Sequence, residues 1–289
     1  MGNNKYIVPK SIIFSDFDDT IIDTNTYKIP TNLTEQLKKC HKKVGLVLVT
    51  SRGWDGIRPY VSSLQLNLPQ VTESGSKIFD PITENELYSS PLTADVVSQL
   101  HEIGVKYPIK ITFSSGSYSS QDKRLLNQTS NIGRASIISS EKHTPQILKD
   151  LSKISRIHVI SGDGMKDSPG NDLIDITPKF VDKRKGIEQW MRMYGKGVNC
   201  IYLAGNSEAD LVMYEVENNQ TEINTIAVQN GILKLKVKAE TIIPSVSDDG
   251  FAQWLEANFN NKSDVKKVDL ILFSFIQKVL TFLNVGVLQ

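Results

Sequence analysis

Residues 11–20 read SIIFSDFDDT: an apolar segment suited to burial runs straight into Asp16, Asp18 and Asp19. Burying carboxylates without compensation is costly, so this turn is either solvated or faces a cation. In extended backbone the side chains at i and i+2 point the same way. Asp16 and Asp18 therefore leave the carboxyl end of the strand together. In open α/β sheets that edge is where ligands bind. Two like charges placed there raise each other's pKa unless a cation or hydrogen-bond donors intervene. An Asp-rich turn by itself is also a common solvated loop, so the decision passes to the rest of the chain.

Outward from this stretch the chain alternates. Ile12–Ser15 is a strand, Thr31–Lys43 a helix, and Gly45–Thr50 (GLVLVT) a second strand with little polar content. Continuous apolar strands separated by helices predict a parallel sheet covered on both faces, hence an α/β fold. Residues 81–171 are richer in Ser, Asn and Lys, with strand-like pieces at 109–113, 135–138 and 156–160 and helical pieces at 94–106 and 145–153. They read as an inserted α+β unit with its own small sheet. From Lys179 the first rhythm resumes: a helix over 185–194, a strand at 199–204, a helix over 209–216 and a strand at 225–228. A core formed by 1–80 and 179–260 and split by one insertion, 81–178, accounts for this pattern, with 261–289 as a terminal helix.

The 33 basic and 32 acidic residues nearly cancel, and 39% of the chain is hydrophobic, which predicts a globular protein with no bulk attraction for nucleic acid. Cys40 and Cys200 lack metal or redox spacing, and no signal peptide opens the sequence. The expectation is a cytoplasmic protein with two buried thiols. Val268–Leu288 is mostly apolar, interrupted by Ser274, Gln277, Lys278, Thr281 and Asn284. Those positions step by three and four, drawing one polar stripe on an amphipathic helix. Its wide apolar face has three readings: docking on the protein's own body or a second copy, lying on a membrane surface, or spanning a bilayer.

Three further residues share the chemistry of the opening stretch. Thr50 ends the second apolar strand in LVLVTSR, Lys183 follows the insertion in DITPKFVDKRKG, and Asp210 opens a helix after CIYLAGNSEAD. Singly, each has an ordinary explanation as a turn residue, a solvated lysine or a complement to a helix dipole. In this order they resemble the four motifs of haloacid dehalogenase-like (HAD) phosphatases of the Cof type, class IIB. The resemblance covers about residues 10–257: DFDDT is the first motif, Thr50 the second, Lys183 the third and GNSEAD the fourth. The later IAVQNGILKLKVKAE and SVSDDGFAQWLE resemble the family's closing segment, which runs from Asn230-Gly231 to Asp249-Gly250.

The resemblance implies a Rossmann-like parallel-sheet core with 81–178 as an α+β cap. It implies a Mg²⁺-dependent phosphatase acting on a small phosphorylated metabolite, such as a sugar phosphate, through an aspartyl-phosphate. Asp16 would be the nucleophile, and Asp18 the acid for the leaving alcohol and then the base for water. Thr50 and Lys183 would hold the phosphoryl group, with Ser51, Arg52 and Asn230 at the substrate. Asp16, the backbone carbonyl of Asp18, Asn206 and Asp210 would hold the metal. A carboxylate attacks an anionic phosphate only where positive charge and donors offset the repulsion, and an all-oxygen site suits Mg²⁺. Thr20 would order the loop. One departure stands out: the family has aspartate at the position of Asn206, so charge is missing unless Glu208 or Asp210 supplies it. Ser51 and Ser74, the latter in ESG, are smaller departures. Two alternatives follow, a phosphomutase using the same aspartate pair and a HAD-like protein that binds without turnover. FSSGSYSSQDKR, residues 113–124, suits either a polar substrate or an ordinary surface loop, and His143 and His158 read as structural.

Overall fold

A computed structural model describes residues 6–107, 109–116, 118–120, 131–162, 169–260 and 264–287. Residues 117 and 121–124 of the serine-rich segment, Leu288 and the side chain of Asn284 lie outside that description. The chain opens with β1 (Ser11–Ser15), α1 (Leu33–Cys40), β2 (Val44–Leu48) and α2 (Trp54–Ser63). An antiparallel ribbon follows: β3 (Gln70–Thr72), β4 (Lys77–Phe79) and β5 (Glu86–Ser89). Then come α3 (Ala94–Lys106), β6 (Lys110–Ser115), β7 (Tyr118–Ser120), β8 (Arg134–Ser140), α4 (Thr144–Leu151), β9 (Ile157–Gly162) and β10 (Asn171–Pro178). The last part holds α5 (Lys183–Tyr194), β11 (Cys200–Gly205), a 3₁₀ segment Glu208–Glu215, β12 (Glu222–Val228), α6 (Leu233–Lys238), β13 (Thr241–Ile243), α7 (Gly250–Leu255) and α8 (Asp264–Val287).

The central sheet has the order β13-β12-β11-β1-β2 and is parallel throughout. β1 lies between β11 and β2, and Ile12, Ile13 and Phe14 are fully buried. Alternation sends Ile13 into one apolar layer, with Leu46, Leu48, Trp54 and Trp254. Ile12 and Phe14 face the opposite layer, with Val47, Ile187, Trp190 and Leu203. Phe14 meets Trp190 edge-on at 5.2 Å between ring centres. The fold is thus the expected α/β arrangement, with the short apolar strands buried on both sides.

The inserted segment forms a separate antiparallel sheet, β7-β6-β8-β10-β9. Ile111, Ile137 and Ile174 from three of its strands pack on Val96 and Leu100 of α3 and Ile147 and Leu151 of α4. β5 lies beyond residue 80 yet pairs with β4, so the chain stays with the first half of the core through Ser89 before crossing to the second sheet.

The terminal helix forms and rests on the protein's own body, but through its polar stripe rather than its apolar face. α8 rests against β13, and the Ser274 hydroxyl accepts a hydrogen bond from the Ile242 backbone N–H at 2.9 Å. Ser274 and Thr281 of the polar stripe are buried, whereas Ile271, Leu272, Phe275, Ile276, Val279, Leu280 and Leu283 are exposed. The polar stripe holds the helix to the protein because the edge strand offers an unpaired amide for it to satisfy. Among the described residues, no helix is long and apolar enough to cross a membrane. Both cysteines are buried free thiols.

Candidate active site

Strand register gathers the functional residues. Ser15 lies opposite Ala204 of β11 and Leu48 of β2. The next residues of all three strands, Asp16, Gly205-Asn206 and Val49-Thr50, therefore emerge at one carboxyl edge. Two hydrogen bonds continue the ladder past the strand ends, from Asp16 N–H to Ala204 C=O at 2.8 Å and from Val49 N–H to Ser15 C=O at 2.7 Å. The hydroxyl of fully buried Thr50 accepts from Arg52 N–H at 3.1 Å, turning the loop above the edge.

Lys183 reaches the same point from the first turn of α5, whose N-terminus is capped by Asp182 accepting from Lys185 N–H at 2.8 Å. Its ammonium donates to Asp16 Oδ1 at 2.5 Å and to Asp210 Oδ1 at 2.6 Å. The other Asp210 oxygen accepts from Asn206 N–H, Ser207 N–H and the Ser207 hydroxyl, each at 2.9 Å. Asp210 packs so tightly under this turn that a Cβ on Gly205 would lie 2.5 Å from the Asp210 Cβ, so the turn needs glycine.

Electrostatics follow from burial. Desolvation and the neighbouring negative charge of Asp210 push the Asp16 carboxyl up to about 7, with Lys183 pulling it the other way. Burial works against the Lys183 charge, but the two carboxylates outweigh it and hold the ammonium above its ordinary value. One buried cation thus serves two buried anions and leaves negative charge in excess.

The remaining expected residues occupy distinct places. Arg52 clamps the Asp18 carboxylate through Nε at 2.8 Å and NH2 at 2.6 Å, with its guanidinium over the rings of Phe17 and Tyr27. Ser51 lies beside it, half-buried. Asn206 Oδ1 accepts from the Thr20 hydroxyl at 3.3 Å, which ties the fourth motif to the first. Asn230, expected at the substrate, has its side chain bridging two loops: it donates to Asp19 C=O at 2.7 Å and accepts from Val246 N–H at 3.1 Å. Glu208 pairs with Lys234 at 2.5 Å on the exposed side, turned to a different partner from the missing carboxylate's role. Asp210 is also fully engaged, one oxygen by Lys183 and the other by the Asn206-Ser207 turn.

A residue the sequence did not single out joins the edge from the connection after β3. Glu73 N–H donates to Arg52 C=O and Ser74 N–H to Thr50 C=O, each at 2.9 Å. The Glu73 side chain is wholly buried and reaches the inserted sheet. In the sequence, ESG carries no sign separating such a glutamate from a solvated one.

The donor set can be tested against a divalent cation. Among the described residues no group of three or more His, Cys, Asp or Glu gathers as a metal cage. What the edge offers is oxygen: the Asp16 carboxylate, short of compensating charge, and the Asn206 amide oxygen held close by Thr20. This set fits a hard, oxygen-loving cation, with less negative charge than a site built from two or three carboxylates.

A sequence profile described as haloacid dehalogenase-like hydrolase matches residues 13–124 and 114–255. A segment of 89 residues is 30% identical to 5-amino-6-(5-phospho-D-ribitylamino)uracil phosphatase YwtE of Bacillus subtilis (strain 168); it spans 31% of this chain and 29% of that relative. The fold is similar to the crystal structure of a haloacid dehalogenase-like hydrolase from Bacteroides thetaiotaomicron, with TM-score 0.68 and 19% identity, over 86% of this chain and 98% of that one. It is also similar to the HAD subclass IIB sugar phosphatase BT4131, with TM-score 0.65 and 17% identity over the same shares.

Proposed function

Because this chain belongs to the haloacid dehalogenase-like hydrolase family, we propose that it is a Mg²⁺-dependent phosphomonoesterase acting on a small phosphorylated metabolite, with a sugar phosphate as the leading class. The observation that carries this is the Asp16–Lys183–Asp210 cluster at the carboxyl edge of β1, a buried carboxylate held at one oxygen by an ammonium. Asp16 attacks phosphorus and the alkoxide leaves, giving an aspartyl-phosphate that water then hydrolyses. Lys183 and Thr50 oppose the charge of the phosphoryl oxygens. Asp18 delivers a proton to the leaving oxygen and later takes one from water. Arg52, which fixes the Asp18 carboxylate, sets where that proton is exchanged and faces the anionic substrate. Asp16, the Asp18 carbonyl and Asn206 would hold Mg²⁺, whose positive charge, when bound, would offset the repulsion between carboxylate and phosphate. Asp210 acts behind them, orienting Lys183 and the fourth-motif turn. The inserted sheet serves as a cap over the leaving group, where specificity is set.

The test is a panel of phosphorylated metabolites and a generic aryl phosphate, assayed for phosphate release with Mg²⁺ and again with EDTA. Release from at least one ester, lost on chelation, is expected; activity indifferent to chelation would remove the metal from the proposal. Absence of release from every member, with isomerisation of hexose phosphates in the presence of a bisphosphate, would favour a mutase.

Asn206 makes a second prediction. Asn206→Asp should tighten Mg²⁺ by at least the roughly 10–100-fold typical of outer-shell partners, because it adds a charge directly at the ion. Without metal the same change should destabilise the fold, since it sets a third carboxylate beside Asp16 and Asp210. Mg²⁺ titration of activity and of Tm checks both signs. Equal Mg²⁺ dependence in the two proteins would place the ion away from residue 206.

A further inference from the structure

We infer that Glu73 is a positioning residue that seats the cap, clasping two of its backbone segments onto the loop that carries Thr50 and Arg52. The contacts converge on one point. Glu73 Oε1 accepts a hydrogen bond from Gly116 N–H, at the end of β6. Gly116 C=O accepts in turn from Trp54 N–H of α2 at 3.0 Å. Alongside, the Ser76 hydroxyl donates to Gly133 C=O, just before β8, at 2.6 Å. Glu73 Oε2 lies against Gly133, where a Cβ would sit 2.1 Å from it. This second oxygen is buried with no hydrogen-bond partner among the described residues.

The backbone is held in a matching form. Glu73, Ser74 and Gly75 have φ of 50°, 55° and 97°, three successive left-handed residues, two of them not glycine. Such a run persists only where surroundings over-determine it. Here the Arg52 and Thr50 carbonyls hold one side and the cap's Gly116 the other, so the loop bearing the phosphoryl-binding threonine and the cap share one fixed piece of chain.

A half-satisfied buried carboxyl makes this clasp sensitive to protons. Burial pushes Glu73 up to about 7 from an ordinary 4.5, against the pull of Lys77 of β4, the Gly116 N–H and Arg134 of β8, and with Glu86 of β5 raising it further. Lys77 is paired with Glu86, and Arg134 with Asp175 of β10. Unseating the cap lets solvent reach the carboxyl and returns it toward its ordinary value. The seated state therefore binds the proton more tightly, is favoured on the acid side, and loses its advantage as pH rises from about 4.5 to about 7.

Hydrogen exchange at the Gly116 and Trp54 amides, expressed as protection factors, reads the seating from both sides of the junction and needs no turnover. A failure of the phosphatase proposal therefore leaves this test intact. In the wild type, protection should fall by up to about tenfold per pH unit across that window. Glu73→Gln keeps an acceptor for Gly116 without the charge and should make protection independent of pH there. Glu73→Ala should lower protection at both amides by roughly tenfold at pH 5. Gly133→Ala approaches the clasp from the cap and should lower the same two amides, adding little to Glu73→Ala in the double variant. Wild-type protection at both amides in Glu73→Ala, or a pH dependence that survives in Glu73→Gln, overturns the inference.

Discussion

Replacing Asp16 by asparagine is expected to lower phosphate release by about 10⁴-fold or more, to the background of the assay, because the amide cannot form the acyl phosphate. The same change should leave the metal-free protein as stable as the wild type, or more so. Asp16 is a buried carboxylate pushed up to about 7, sharing one ammonium with Asp210, and an amide of the same shape still offers Lys183 an oxygen. Removing an incompletely compensated charge relieves the desolvation cost that function imposes. Activity measured against Tm in EDTA separates the two effects. Turnover surviving in the variant would exclude Asp16 as the nucleophile, and a large drop in Tm would show that its charge holds the fold.

Lys183→Met should behave in the opposite way, losing stability and activity together. The wild-type ammonium lies 2.5 Å from one buried carboxylate and 2.6 Å from another. Taking it away leaves two anions facing each other out of water, and breaking a buried pair by removing one partner costs about 3–5 kcal/mol. Part of that loss should be recovered as pH falls and Asp16, already pushed upward, takes a proton. Urea unfolding at pH 5.5 and 8 measures the cost and its direction: destabilisation should be the larger at pH 8. A variant as stable as the wild type at pH 8 would mean that the cluster is not the buried charge centre described above.

The core was legible because its strands carry few polar residues. SIIFS and GLVLVT can only be buried on both sides, and the ends of such strands point to one edge. The β3–β5 ribbon was not, since its strands of three and four residues are too short for alternation to show. β10, an interior strand of the second sheet, mixes Asp172 and Asp175 with Leu173, Ile174 and Ile176, and the pairing of Asp175 with Arg134 is invisible without the fold. The terminal helix shows the limit of periodicity in another form. Spacing separates a polar stripe from an apolar one, but which of them faces the protein depends on what the neighbouring strand offers, here the Ile242 amide. In the site, motif order brought Asp16, Thr50, Lys183 and Asp210 together on the page, while their division of labour did not follow. The full engagement of Asp210 and the brace formed by Asn230 arise from turns that local sequence does not specify. Glu73 was missed because burial, not residue type, makes it unusual.

The position of β1 also bears on how the chain acquires its structure. Its two neighbours differ greatly in distance along the chain, for Ser11 is aligned both with nearby Val44 and with Cys200, on the far side of the whole inserted sheet. At roughly 5–20 residues per second, a ribosome extrudes β1 on the order of ten seconds or more before β11 exists to cover its other edge. Until then one flank of a strand with three fully buried apolar residues is open to mispairing, a hazard that grows with the sequence separation of native partners. The inserted sheet, built from nearby partners, can form during that interval. Lys183 and Asp210 lie on either side of β11, so the ion cluster assembles only when β11 has paired with β1, and no nascent fragment that stops before Asp210 holds all three of its residues.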